Sequence, residues 1–555
     1  MKLFKSVGAL ALFFLLLVGL LTVEARAGSG QALKALPIQD GGRLKPFDTF
    51  ARESLQLITG KRSLKDLPAT DVVFSWMFIP DYWLNEKFVR VDRWTIKQDL
   101  KLDVEAKYFS PQEILASDRF PLLMQDLQSR RAAKEKLDPH FQAAQNLENQ
   151  LGLFRAISSG QALRFIPPVT GDQWLAVGEA TEEIQRAFAA VSQAFVSQVR
   201  RAGEAKNEAT QAGADGEYLA RAVAEFAKLA QSANPQLYPP SQIIQVEVFL
   251  NAFEPFMWSW VLYLLALIFL AMAWSGKRRW AIFAMWSAVG LGFLMHTFGF
   301  ALRVYITGRP PVSNMYETVV WVAWGAIFFG TIMELIYRRR HILATALAVA
   351  ILGLIVADLA PTVLDPSLQP LQPVLRSNFW LTVHVLTITI SYAAFFLAFA
   401  LGDFGLLLAM RGSPQAVKAR LREIANSSYR AIQIGVVLLA AGIILGGVWA
   451  DYSWGRFWGW DPKETWSFIA LMGYLAILHG RLAGLIADFG MLVTSVIAFS
   501  LVLMSWYGVN FVLGAGLHSY GFGAGGVEYV TGFVVIHFIF VAVAVYLWVG
   551  KTAHK

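Results

Sequence analysis

FWLTVHVLTITISYAAFFLAFALGDFGLLLAM, residues 379–410, holds a single carboxylate, Asp403, and no lysine or arginine. A bilayer core of ~30 Å is crossed by a helix of about 20 apolar residues, so the stretch reads as a membrane span with length to spare. Similar runs lie near 256–274, 280–302, 317–337, 342–359, 431–449, 466–486, 488–507 and 529–549. Nine spans in all make an all-α polytopic membrane protein. Composition agrees, since 56% hydrophobic and 16% charged residues over 555 positions is too apolar for a soluble chain.

The net charge of +8 sits at the ends of these runs and forms no basic stripe, so no nucleic-acid partner is expected. Lys277-Arg278-Arg279, Arg338-Arg339-Arg340, the 411–430 loop with Arg411, Lys418, Arg420 and Arg422, and Lys551 fall on every second connection. The positive-inside rule then puts these loops and the C-terminus in the cytoplasm, and connections 303–316, 360–378, 450–465 and 508–528 outside. Cysteine is absent, so any metal must be held by His, Met or oxygen ligands.

At the start of the chain, Lys2 and Lys5 precede the apolar run Val7–Val23 and the small-x-small triplet Ala25-Arg26-Ala27. Residues 1–27 read equally as a cleaved signal peptide or an N-terminal transmembrane anchor, and either sends the succeeding segment outside. From Gly28 to about Asn251 no run is long enough to cross a bilayer. Within it Ile184, Phe188, Val191, Phe195 and Val199 recur at helical steps, so 28–251 is expected to be an external, mainly α-helical domain ahead of a multi-spanning domain at 252–555.

The densest chemical signal is WADYSWGRFWGWDPKETW, Trp449 to Trp466, which holds five of the chain's 19 tryptophans. An interfacial aromatic belt accounts for any one of them but not for their spacing. Gly455 and Gly459 beside large rings, with Arg456, Asp461, Lys463 and Glu464 interleaved, suit a loop that lays indole faces on a flat ligand and offers cations to its acidic groups. Heme is such a ligand, a planar apolar macrocycle with two carboxylates. Arg456, Lys463, Arg309 and Arg376 are the candidate cations for its propionates.

WGRFWGWDPKETW resembles the WWD motif of the heme-handling superfamily that includes CcsA, CcmC and CcmF. GRPPVSNMYETVVWVAWG, residues 308–325, and the surrounding histidines narrow the resemblance to the CcsA family, the CcsA half of the System II synthase CcsBA, over roughly 256–550. More weakly, Pro37–Arg52 is similar to a segment preceding the CcsA half in some fused synthases. The resemblance implies b-type heme, handled as substrate, in a bacterial inner membrane. It places iron ligands at His384 and His518 beside the external loop and at His479 deeper in the membrane. Trp449, Trp454, Trp458, Trp460, Asp461, Trp466 and Arg456 complete the implied heme-binding set, and no catalytic residue is evident.

Helix geometry fits these positions. His384 lies about 6 Å inside its span, four residues after Trp380, whereas His479 lies about 20 Å beyond Trp466. The family's opposite ligand to His479 comes from a CcsB (ResB-type) protein, and the 28–251 segment resembles no such half, so a separate CcsB partner is expected. Apocytochrome c with its Cys-x-x-Cys-His segment, and thiol-reducing proteins that keep it reduced, are the other implied partners. The chain is thus expected to be a component of a holocytochrome c synthase. A heme exporter or chaperone without ligase activity remains open, as does a transporter of another amphipathic solute. His296 reads as structural or supporting, Asp403 as a helix-end carboxylate and Glu334 as an ion-pair partner of Arg338. His140, His341, His537 and His554 carry no supporting context.

Overall fold

Gly41 and Gly42, at φ 59° and 78°, turn the chain between Pro37–Asp40 (β1) and Arg43–Pro46 (β2), which pair antiparallel with Asp40 opposite Arg43. A two-residue turn with both φ values positive matches the twist of a hairpin. This hairpin, absent from the helical expectation, comes near the start of the computed structural model, which describes residues 30–135, 137–204, 209–274, 278–360, 363–370, 379–514 and 526–553. Residues 1–27, His518, Arg376 and His554 lie outside that set.

The described residues up to Ala252 form one compact unit and those from Phe253 a second. The first is mainly helical. Its helices include Phe47–Thr59 (α1), Ala69–Phe78 (α2), Pro139–Ser158 (α3), Glu182–Glu204 (α4), Ala209–Ala233 (α5) and Ser241–Phe253 (α6). Its core is a knot of rings: Phe74 meets Phe47 edge-on at 5.6 Å and Phe195 at 5.0 Å, while Phe188 packs on Phe226 at 5.2 Å. Ile184, Phe188, Val191 and Phe195 are buried as their spacing predicts, but Val199 is 42% exposed, because the packed face of α4 ends a turn earlier.

The residues Arg43 to Arg52 find their partners within this unit. Arg43 Nη1 and Nη2 donate to the two oxygens of Glu247 at 2.8 and 2.6 Å, and Thr49 Oγ1 donates to the same carboxylate at 2.7 Å. Asn251 Nδ2 donates to Asp48 at 3.0 Å and to Thr49 at 2.8 Å. Lys45, 3% exposed, is held between Asp40 and Glu53. Two-pronged arginine–carboxylate contacts fix orientation as well as charge, so this polar strap clips the hairpin and α1 onto α6.

The second unit comprises Pro255–Met272 (α7), Arg279–Thr307 (α8), Met315–Tyr337 (α9), Arg340–Leu359 (α10), Phe379–Arg411 (α11), Pro414–Trp454 (α12), Pro462–Leu482 (α13), Asp488–Leu503 (α14) and Val527–Ala553 (α15). Among the described residues eight helices are long and apolar enough to cross a membrane, the first by composition running from Ser241 to Met272. The protein is therefore an all-α polytopic membrane protein, with one fewer such helix than expected. The stretch predicted as 466–486 is α13, whose Lys463, Glu464, His479 and Arg481 dilute its apolarity. It ends at Leu482 because Gly484 turns at φ 76° and Leu485 N–H donates back to Gly480 O at 2.9 Å. The expected span 431–449 is the second half of α12, whose 41 residues exceed what a bilayer needs.

Helix α11 is the hub, packing on α9, α10, α12, α14 and α15. Its Phe395 stacks on Tyr474 of α13 at 3.9 Å. No ion pair joins Glu334 to Arg338: Arg338 leaves α9 at φ 53°, only its backbone N–H reaches Glu334 O, and Glu334 Oε2 has no hydrogen-bond partner among the described residues. His296, fully buried, is satisfied by Tyr263 Oη at 3.3 Å and Val320 O at 3.1 Å, as a structural histidine should be.

Candidate functional site

The alternating helices bring the ends of α8 and α12 and the starts of α9, α11 and α13 together at one end of the second unit, around a cavity of about 740 Å³. That volume lies inside the range of small-molecule sites, roughly 300–1,000 Å³. His384 lines it from the second turn of α11. Its Nδ1 sits 2.7 Å from Gly442 O of α12. A carbonyl oxygen only accepts, so Nδ1 carries the proton and Nε2 the lone pair, the tautomer required of a metal-ligating imidazole.

The ring is held by what α12 lacks. A Cβ at Gly446 would stand 2.6 Å from His384 Cε1, and one at Gly442 would stand 3.0 Å from the backbone of Ile388. A Cβ at Gly447 would meet the Phe457 ring at 2.6 Å. Bare backbone at these three positions lets α12 close on α11 and admits both rings, as small residues do between membrane helices. Behind His384, Trp449 lies nearly parallel at 6.4 Å with an interplanar angle of 8°, 2% exposed. Trp454 in turn packs edge-on against Trp449 at 4.6 Å.

The Trp-rich segment divides into builders and liners. Trp458 and Phe457 line the cavity, with Lys463, Glu464 and Arg309. Asp461 is the N-cap of α13 and forms a capping box with Glu464, whose Oε2 accepts from Asp461 N at 3.1 Å and Gly459 N at 2.8 Å. Arg456 donates to Glu464 Oε1 at 3.1 Å and lies 5.4 Å over the Trp454 ring. Asp461 and Arg456 thus hold the loop in shape and do not line the cavity. Trp460, at φ 59° and 67% exposed, turns outward, and Trp466 is half-buried in the second turn of α13.

Across the cavity, α14 continues as a π-helix, Met504–Leu513, which carries Trp506 and Asn510 to the wall. Trp506 Nε1 donates to Thr318 Oγ1 at 3.2 Å, and its carbonyl accepts from Asn510 Nδ2 at 3.2 Å and Lys463 Nζ at 3.5 Å. Wide helical turns of this kind recur at functional sites. Tyr392 and Ser467, also lining residues, meet at Ser505 Oγ, at 3.4 and 3.0 Å. Trp506, Asn510, Thr318, Tyr392, Ser467 and Ser505 are not among the residues the sequence singles out; the Gly442, Gly446, Gly447 spacing is the one signal that points to the wall on α12.

His479 stands in the last turn of α13, exposed, its Nδ1 bonded to Leu475 O at 2.7 Å. Its Nε2 therefore carries the lone pair too. His518 falls beyond the described residues, in the segment after the π-helix. Two other polar pairs involve residues given no role: His341 Nε2 meets Ser427 Oγ at 3.2 Å, and His537 Nε2 lies 3.4 Å from Asp403 Oδ2. Asp403 is thus a partner of α15 rather than a bare helix-end carboxylate.

A model of the cytochrome c assembly protein family matches residues 312–518. The cytochrome c biogenesis protein CcsA of Parasynechococcus marenigrum is 33% identical over 290 residues, 47% of this chain and 94% of that protein. CcsA of Prochlorococcus marinus is 34% identical over 265 residues, 41% of this chain and 81% of the relative. Protein NrfI of Wolinella succinogenes is 28% identical over 514 residues, 87% of this chain; the chain spans about half of that relative, 53%. Among solved structures, the cytochrome c heme lyase CcmF matches with a TM-score of 0.37 and 14% identity over 53% of this chain and 50% of that one.

Proposed function

Because this chain belongs to the CcsA-type family of cytochrome c biogenesis proteins, we propose that it holds b-type heme, as substrate, beneath the Trp-rich loop and presents it for attachment to apocytochrome c. Cytochrome c biogenesis in a membrane is the setting. The observation that carries the reading is His384: its Nδ1 proton is fixed on Gly442 O, and its ring is backed by Trp449 beside a cavity of about 740 Å³. Such an imidazole offers iron its Nε2. His518 is the second axial ligand in this reading.

His479, exposed on α13 with Nδ1 likewise committed, supports an inner site completed by an imidazole of a CcsB (ResB-type) partner. Heme enters at that level and moves to the His384/His518 level on the external side of a bacterial inner membrane. There each thiol of the apocytochrome Cys-x-x-Cys-His segment adds across one vinyl group: an S–C bond forms, the thiol proton ends on the neighbouring vinyl carbon, and no electrons are gained or lost overall. Thiol-reducing partners keep the cysteines available, and the substrate His displaces one protein ligand. The chain contributes by holding and orienting heme and by shielding reduced iron.

Purification with the CcsB partner should give a bis-histidine heme spectrum that His384→Ala and His518→Ala each diminish, leaving only the share held at the His479 level. A heme-free wild type, or variants with unchanged spectra, would sink the reading. A Cys-x-x-Cys-His peptide added to the complex should acquire covalent heme; a peptide left unlabelled assigns the chain to heme carriage alone.

A further inference from the structure

Two arginines share one carboxylate at the edge of the cavity. Arg303 Nη2 donates to Glu317 Oε1 at 2.9 Å and Arg309 Nη1 to Oε2 at 2.8 Å. All three are sealed from solvent, at 5%, 6% and 1% exposure. Glu317 is fully engaged, since Ser313 N and Oγ also donate to its Oε2, both at 2.9 Å. Its own N–H donates to Asn314 Oδ1 at 2.8 Å, which starts α9.

One carboxylate against two guanidiniums leaves a surplus positive charge. An uncompensated buried charge costs several kcal/mol, so such a cluster is poised to take an anion. Donors remain as well: among the described residues Arg309 Nη2 and Arg303 Nε meet no acceptor. Arg303 is pinned from behind, both its Nη atoms donating to Pro366 O at 3.1 Å, whereas Arg309 lines the cavity. Elsewhere on the rim Arg456 is paired with Glu464, and Lys463 has Asp461 beside it.

We propose that Arg309, backed by Arg303 and set in place by Glu317, is the anchor for a carboxylate of the tetrapyrrole and so decides which edge of the macrocycle meets the Gly308–Asn314 wall. This rests on heme being the cargo of the cavity. Propionates and vinyls occupy different edges of heme, so an anchored propionate edge turns the vinyls away from that wall. The cluster is then a positioning device for the thioether chemistry, acting through orientation.

The test is titration of the full-length protein, in nanodiscs, with hemin and with hemin dimethyl ester, followed by Soret absorbance. Charge-assisted contacts of this kind are worth about 1.5–3 kcal/mol, tenfold or more in affinity. Unaltered protein should bind the free acid at least roughly tenfold more tightly than the ester. Arg309→Gln should lose that preference while binding the ester as before; Glu317→Gln, which removes the competing carboxylate, should keep it. His384→Ala should weaken both ligands alike. Equal binding of the two by unaltered protein, a comparison independent of any variant's folding, overturns the anchor. So does a preference that survives Arg309→Gln, or one that vanishes in anionic lipid, which would give the cluster to a lipid phosphate. Failure to bind either ligand would overturn the heme reading itself.

Discussion

Gly446 shows how finely one residue can set a histidine. An added methyl group at that position would overlap His384 Cε1, so the ring, tied to Gly442 O, has to shift toward the cavity. Gly446→Ala should therefore tilt the imidazole and weaken heme binding by roughly tenfold, within the cost of overpacking. Gly290→Ala, within α8 where an added Cβ meets nothing and the backbone is helical, serves as the control in the same titration. Asp71 gives a residue-scale statement about pH. Burial holds its carboxyl above the ordinary range. A carboxyl whose folded pKa is raised costs stability wherever it is ionised in the fold, and the cost fades as pH falls below the unfolded pKa near about 4. Asp71→Asn should raise the melting temperature at neutral pH, with the gain vanishing by about pH 3.

At the scale of elements, the polar strap between hairpin and helix makes the sharpest prediction. Glu247→Ala removes the carboxylate that the Arg43 guanidinium is bonded to and strips Thr49 of its acceptor. Removing one partner of a buried pair costs about 3 kcal/mol, visible as a lower thermal midpoint of the first unit, and Glu247→Gln should recover part of it by keeping hydrogen bonds. Apolar runs announced the membrane helices plainly, because 20-residue periodless stretches have no other reading. Hidden from that pattern were features set by contacts distant in sequence. The Arg43–Glu247 clip joins positions far apart along the chain, and the charged ends of α13 masked its extent. In the candidate site, His384, Trp458 and the Trp449 stack could be read from motif and spacing. The π-helix could not, since its residues Met504–Leu513 carry no local signal that distinguishes a wide turn from an α-turn. The division of the tryptophan segment into Arg456 and Asp461 as frame and Trp458 and Phe457 as lining is likewise a matter of three-dimensional pairing.

For the whole molecule, the two compact units have separate cores, one of phenylalanines from α1, α2, α4 and α5, the other centred on α11. Residues 30–250 expressed alone should consequently unfold cooperatively, and two coincident probes, far-UV circular dichroism and tryptophan fluorescence, would show it. A chain without cysteine also makes sidedness directly readable. Single cysteines at Ser453 and at Arg339 should react oppositely with a membrane-impermeant maleimide applied to intact cells, Ser453→Cys labelled and Arg339→Cys protected; the reverse pattern would invert the topology.

The bare strip of α12 at Gly442, Gly446 and Gly447 has a consequence for how such a site can change. A socket defined by missing side chains cannot be trimmed further, because glycine is already the floor of size. Every substitution there adds matter and narrows the space for His384 and Phe457. Adaptation to a different macrocycle is thereby channelled to the opposite wall, where Asn510, Thr318 and Arg309 present side chains that can be exchanged rather than bare backbone. One side of the cavity is a fixed jaw and the other the adjustable one.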